Sequence, residues 1–270
     1  MTAKKPRKVA RLYSILDSLN AHTHRSFRTI VFSDTVLVYN PVLAKTDHDR
    51  NYLVWYLIEF AEDLHHRLTG QDIYFRAVIT AGTFSHYNLK NIECFFGEAL
   101  VDAYLHEKQI PSIGLFIKND CNQYNEYFRV APFDDEYQFV YLNRSLETLH
   151  KMSGDVFPFT DPGSQDQAPY TPWQIRFLED LHTNMRTHRD PRVRTKFLTA
   201  WDFYSKRYPG MTHALVAGNF TTTALGGPHA WLPEIQTMLS EIKRLKRIGS
   251  GTPVSRALLR KRRRKRRRKP

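Results

Sequence analysis

The residue best placed to do chemistry is Asp34. Phe32-Ser33-Asp34-Thr35 sets this lone carboxylate between two β-branched or aromatic runs, Arg28-Thr29-Ile30-Val31-Phe32 and Val36-Leu37-Val38-Tyr39. Each run reads as a strand, and a tight turn at Ser33-Asp34 puts one acid at the tip of a hairpin. A carboxylate there can ligate a hard divalent ion, since Mg²⁺ is usually bound by one or two carboxylates together with substrate phosphates. The same residue also suits a plain turn, because Asp hydrogen-bonds its own backbone in turns. Other candidates are poorer. His22-Thr23-His24 has no Cys, Asp or Glu at ligand spacing beside it, and His65-His66 are neighbours on one predicted helix, where adjacent side chains point apart. Ser33 lies in no Gly-x-Ser-x-Gly elbow, and there is no glycine-rich phosphate loop. Cys94 and Cys121 form neither a disulfide framework nor a metal pattern, which fits a reducing, cytoplasmic setting.

Charge is concentrated at the ends. Arg260, Lys261, Arg262, Arg263, Arg264, Lys265, Arg266, Arg267, Arg268 and Lys269 are ten consecutive cations. Arg256 adds one, and Lys4, Lys5, Arg7, Lys8 and Arg11 add five at the front. Removing these sixteen from the 40 Lys and Arg leaves 24 cations against 27 acids, about −3 over residues 12–255. Such ends self-repel and bury little apolar surface, so both are expected to be disordered. The tail has the field to hold an import receptor, an anionic membrane surface or a nucleic acid. Without interleaved aromatics that binding would be non-specific and salt-sensitive. No apolar run reaches the roughly 18 residues of a membrane span, and no apolar segment follows the basic N-terminus as in a signal peptide.

Periodicity supplies the elements that would carry Asp34. Leu12, Ile15, Leu16 and Leu19 predict a helix over residues 10–21. Leu53, Tyr56, Leu57, Phe60, Leu64 and Leu68 predict a long amphipathic helix over 47–68, with Gly70 as its cap. Strands are predicted at 73–80 and 113–117, a polar loop at 82–91, and a helix at 97–109. A hairpin is predicted from 127–130 and 137–141 across Asp134-Asp135. After a Gly-, Pro- and Asp-rich stretch, helices are predicted at 173–186, 191–207 and 233–248. The alternation argues an α/β sandwich whose sheet is mixed or antiparallel rather than purely parallel, because a hairpin belongs to it.

Three segments resemble the catalytic domain of class III nucleotidyl cyclases, closest to bacterial cyclase-like proteins such as the Pycsar pyrimidine cyclases of antiphage defence. Phe32-Ser33-Asp34-Thr35 is similar to the family's metal-binding hairpin. Phe75-Arg76-Ala77-Val78-Ile79-Thr80-Ala81-Gly82 is similar to its Arg-Gly-x-Ile-x-x-Gly strand. Gly97-Glu98-Ala99-Leu100-Val101-Asp102-Ala103-Tyr104-Leu105-His106-Glu107 is similar to its Gly-x-x-[Ile/Leu]-x-x-Ala-Tyr-x-x-Glu helix, and Ser112-Ile113-Gly114-Leu115 continues the likeness. The later Pro191-Arg192-Val193-Arg194-Thr195-Lys196-Phe197 helix resembles their C-terminal helical segment.

The resemblance implies a ferredoxin-like palm followed by a helical extension, and an active site shared across a homodimer. It implies formation of a 3′,5′-cyclic nucleotide from a nucleoside triphosphate by attack of the ribose 3′-hydroxyl on the α-phosphate, assisted by Mg²⁺ or Mn²⁺. Asp34 would be the metal and catalytic carboxylate, and Ser33, Thr35, Arg76, Gly97 and Tyr104 would contact substrate. Two departures accompany it. The family's first metal carboxylate precedes the first helix, where residues 1–10 hold no acid. The family's transition-state Asn and Arg fall on Val101 and Leu105, neither of which donates a hydrogen bond. A cyclase built this way is expected to be impaired. The layout expected is a basic disordered start (1–9), a cyclase-like domain (10–150), a linker (151–170), a helical extension (171–248) and a basic disordered tail (249–270).

Overall fold

A computed structural model describes residues 4–19, 25–159 and 164–248. The predicted alternation of strands and helices is present, and the fold is mixed α/β. Helix α1 (Lys4–Ser18) leads into a hairpin of β1 (Arg28–Phe32) and β2 (Thr35–Tyr39), and helix α2 (Asp47–Leu68) follows. The start of α2 is written in Thr46 and Asp49. Each side chain accepts from the other's backbone N–H, closing a capping box. Strand β3 (Arg76–Ile79) is followed by a second hairpin, β4 (Ser85–Asn88) and β5 (Glu93–Phe96). Helix α3 (Glu98–Gln109), strand β6 (Gly114–Lys118), the short helix α4 (Asn119–Asn122) and strands β7 (Val130–Pro132) and β8 (Tyr137–Val140) complete this half. The rest is helical: α5 (Arg144–Ser153), α6 (Ser164–Gln167), α7 (Thr171–Thr187), α8 (Pro191–Arg207), α9 (Pro209–Ala217) and α10 (Leu232–Arg247).

The central sheet has the order β3-β6-β8-β7, with β3 and β6 parallel and the other pairs antiparallel. It is mixed, but not for the reason expected. The 28–40 hairpin forms its own two-stranded sheet, and the parallel pair arises from the β3-to-β6 crossover through α3. Both faces of the sheet are covered. On β6, Leu115 and Ile117 meet Val54, Ile58 and Ala61 of α2, while Phe116 between them joins Phe139 and Tyr141 against α7 and α8. This is the two-residue period of a strand buried on both sides. The helical extension therefore shares one core with the sheet, anchored by Leu178, Leu181, Ala200 and Tyr204. Glu147 on α5 adds a polar anchor, accepting from Arg207 Nη2 through both oxygens (2.7 and 2.9 Å) and from the buried Tyr208 hydroxyl (3.1 Å).

Two expectations need correction. Residues 4–9 are helical, because α1 begins at Lys4. Its inward face, Leu12, Ile15, Leu16 and Leu19, packs on Leu64, Leu68 and Leu245 and holds the basic turns in line with the rest. Residues 82–91 are not a plain loop. Ser85, His86 and Asn88 are poor strand formers on their own, but they pair in register with 93–96, and Leu89 N–H donating to Ile92 O closes the turn. The decacationic tail and His22-Thr23-His24 lie outside the described residues.

Candidate functional site

Asp34 stands where its sequence puts it. Phe32 pairs with Thr35, so Ser33 and Asp34 form a two-residue turn. Ser33 adopts φ 57°, the sign a II′-like hairpin turn requires at its first central position, where Gly is usual. Tyr13 of α1 steadies it, its hydroxyl donating to Ser33 O at 2.6 Å. Ser33, Asp34 and Thr35 are all exposed. Among the described residues the Asp34 carboxylate makes no hydrogen bond or ion pair, and no three His, Cys, Asp or Glu side chains converge as a metal site. One isolated carboxylate does not fit a two-metal centre, which needs acids bridging both ions.

The remaining predicted residues are engaged around α3. Arg76 extends from β3 to the end of that helix. Its Nε donates to Glu107 Oε1 at 2.7 Å, its Nη2 lies 2.5 Å from the same oxygen, and its Nη1 donates to Ile110 O. The guanidinium is thus committed to tying β3 to a helix C-terminus, a favourable place for a cation. Gly97 has φ 144°, and a Cβ there would fall 2.2 Å from Thr83 O. Its glycine is required by the close approach of the chain before β4. Tyr104 is exposed, with the Lys108 ammonium 3.7 Å from its ring centroid. Val101 and Leu105, at the positions of the two family donors, lie beside it on the outer face, 57% and 50% exposed. No hydrogen bond or ion pair joins Asp34 to Arg76 or Tyr104 among the described residues. His65 and His66 both pack on α7 and its start: His65 lies edge-on to Phe177, and His66 lies against Trp173 and Tyr170.

The structure assembles one polar cluster that the motifs do not indicate. Asp102 of α3 reaches the carboxyl ends of β3 and β6. Its Oδ2 accepts from Thr80 Oγ1 (2.6 Å) and Lys118 Nζ (2.9 Å), and its Oδ1 lies 3.1 Å from His106 Nε2. Glu136 approaches the same His106 nitrogen at 3.7 Å, and the His106 ring lies 4.9 Å from that of Tyr137. The Asp102 and His106 spacing of i, i+4 is the signal that marks the pair in the sequence. Burial acts to raise the Asp102 carboxyl, but the Thr80 hydrogen bond, then Lys118 and His106, hold it below the usual range. The Asp102 contact raises Lys118. Burial, and then Asp102, push the Tyr137 phenol up. The cluster behaves as an ion-pair network that pins α3 to the sheet.

Pinning that face leaves the opposite one bare. Val101, Tyr104 and Leu105 repeat at i, i+3 and i+4, the stripe a helix ordinarily buries, and α3 has no buried residue. The two hairpins also expose aromatic side chains. Phe32 of β1 contacts the Phe95 ring at 6.0 Å, Phe96 contacts Tyr87 at 6.0 Å, and Phe32, Phe96 and Tyr87 are exposed. In comparisons with known proteins, the chain matches no family model, no curated protein and no solved structure. Among the described residues no helix is long and apolar enough to cross a membrane.

Proposed function

We propose that this chain is a catalytically silent cyclase-like protein that binds a second copy of itself through the exposed face of α3. The observation that carries this reading is the exposed Val101, Tyr104 and Leu105 stripe directly following a hairpin whose own aromatics are exposed. An exposed apolar helix stripe of this kind suits an interaction site. The segments at 32–35, 75–82 and 97–107 resemble motifs of the class III nucleotidyl cyclases, a family that completes its site across a homodimer, and this supports the reading. A two-fold contact would place the two exposed α3 faces at one interface. The same residues support silence as a cyclase. Arg76 is held by Glu107 and Ile110 O, and apolar side chains occupy the two donor positions. Each such donor typically contributes several kcal/mol to the transition state.

The test has two arms. Light scattering across a concentration series is expected to show a monomer–dimer equilibrium. Incubation with the four nucleoside triphosphates and Mg²⁺ or Mn²⁺, read by mass spectrometry, is expected to give no cyclic product. A strict monomer would overturn the dimer. A robust 3′,5′-cyclic product that vanishes in Asp34→Ala would overturn the silence.

A further inference from the structure

Helices α7 and α10 pack side by side without closing fully on each other. A groove of about 480 Å³ remains between them, within the roughly 300–1,000 Å³ of small-molecule pockets. One face of α10 supplies its long wall. Ile235, Met238, Leu239, Ile242 and Lys246 recur at i, i+3, i+4, i+7 and i+11, and at 1.5 Å per residue they span about 16 Å. Ile175 of α7 and Phe220 also line it. Asn219 and Phe220 both take positive φ (50° and 56°), where bulky side chains rarely sit, and the Phe220 N–H donates to Leu215 O at 2.7 Å. This turn at the end of α9 is what brings Phe220 to the groove. At the other end Gly70 lets α10 come close: a Cβ there would fall 2.7 Å from Ile242 Cδ1. The side-chain amide of the buried Gln71 then holds α10 in place, donating to Ile242 O at 3.3 Å.

The groove changes character along α10. By Ile235, Met238 and Leu239 its wall is apolar, and Leu239 is 57% exposed although Met238 beside it is buried. At the last turn stands Lys246, whose ammonium makes no hydrogen bond or ion pair among the described residues. Arg176 of α7 adds a cation that is already shared, its Nη2 2.9 Å from Asp180 Oδ1 and its Nη1 3.3 Å from Glu179 Oε2. Its Nε is buried with no hydrogen-bond partner among the described residues. A buried donor without an acceptor costs free energy, and apolar wall left against water forgoes the gain of burial. An elongated apolar chain ending in an anion answers both. One uncommitted ammonium matches the single charge of a carboxylate better than the higher charge of a phosphate.

We propose that the groove between α7 and α10 binds a long-chain carboxylate, with its alkyl chain along Ile235, Met238, Leu239 and Ile242 and its head at the Lys246 ammonium. Burial of the chain supplies most of the affinity, at about fourfold for each CH₂ removed from water. The ammonium fixes which way the chain lies. This site shares no residue with the exposed face of α3.

The test is equilibrium dialysis of the full chain with radiolabelled laurate, below its micelle-forming range and at high salt, where attraction to surface cations is screened. One laurate per chain is expected. Decanoate, shorter by two CH₂ groups, should bind roughly tenfold more weakly. Dodecyltrimethylammonium, with a similar chain and the opposite charge, should not compete. Lys246→Gln should weaken laurate about tenfold and leave dodecanol binding unchanged. Leu239→Glu, at an exposed position, should abolish laurate binding with the melting temperature unmoved, and Leu239→Met should retain it. No bound laurate, several per chain unaffected by Leu239→Glu, or equal affinity for dodecyltrimethylammonium would overturn the site. A dimer seen by sedimentation that Leu239→Glu breaks, with no laurate bound, would give the groove to a second copy and overturn the ligand.

Discussion

The two flanks of the central sheet are built to opposite rules. Where β6 and β8 meet α7 and α8, aromatic side chains interlock. Phe139 stacks on Phe203 at 4.3 Å, Phe116 and Tyr141 contact Phe139 edge-on, and Tyr204 closes the group. Where α3 crosses from β3 to β6, attachment is polar, through Arg76–Glu107 and through Asp102 with Thr80 and Lys118. The first flank places its apolar residues inside and gains the hydrophobic term. The second fixes its helix by side-chain hydrogen bonds and keeps Val101, Tyr104 and Leu105 outward. Stability resides in the interlocked aromatic core, and the outer face of α3 is left free for the contact proposed above.

The sharpest way to break this contrast is to remove a ring from the stable flank. Phe139 is 1% exposed and touches four aromatic neighbours. Phe139→Ala is expected to lower the unfolding free energy by about 3–5 kcal/mol, the range for large-to-alanine changes in packed cores. Urea titration followed by tryptophan fluorescence would measure it. A loss under about 1 kcal/mol would mean that the extension does not share the sheet's core.

A second test uses pH on the same flank. His65 of α2 lies against Phe177 of α7 at 4.2 Å, and its Nε2 is buried without a hydrogen-bond partner. Burial, and then the charge of His66, push its pKa down to about 3, against about 6.5 in an unfolded chain. Between those values the unfolded state binds the extra proton. Stability is therefore fully present above pH 6.5 and is lost as pH falls toward 3. At pH 5 the loss from this one group is about 2 kcal/mol, at 1.36 kcal/mol per pH unit. Urea midpoints at pH 7 and pH 5 are expected to differ less in His65→Leu than in the unaltered chain. Glu62 and Asp180, whose carboxyls burial raises, contribute equally to both proteins. An identical pH dependence in the two would place the titration at another group.

The same contrast governs how much could be read from the residues. The long helix 47–68 was legible because a sustained apolar stripe runs through it, and the structure adds the capping box that opens it. The tip position of Asp34 followed from two β runs with two residues between them. The hairpin at 85–96 was hidden because its first strand is polar and its apolar partner is short, so pairing rather than propensity makes it a strand. The fates of Arg76 and Gly97 were hidden for another reason. A motif fixes residue type and spacing, but the occupancy of a guanidinium by Glu107, or the closeness of Thr83 O to Gly97, depends on how distant segments meet. The Asp102 cluster draws on β3, α3, β6 and the residue before β8, and only its i, i+4 half was visible along the chain.

The smallest expected effect on stability falls on the exposed flank, and it decides whether that flank is for recognition. Leu105 is half exposed and has no place in the packed clusters. Leu105→Glu keeps a good helix former in α3 and takes little apolar area out of a core, so the unfolding free energy of the dilute protein should move by no more than about 0.5 kcal/mol. A glutamate facing its own copy across a two-fold axis, however, sets like charges together in a desolvated contact, at a cost of several kcal/mol. The variant should therefore unfold like the unaltered chain and yet stay monomeric at concentrations where the unaltered chain dimerises. Sedimentation and urea titration on the same samples separate the two effects. If Leu105→Glu left dimerisation unchanged, the α3 stripe would not be the contact. If it cost as much stability as Phe139→Ala, the outer face of α3 would be part of a core, and the division between a flank for stability and a flank for recognition would fall.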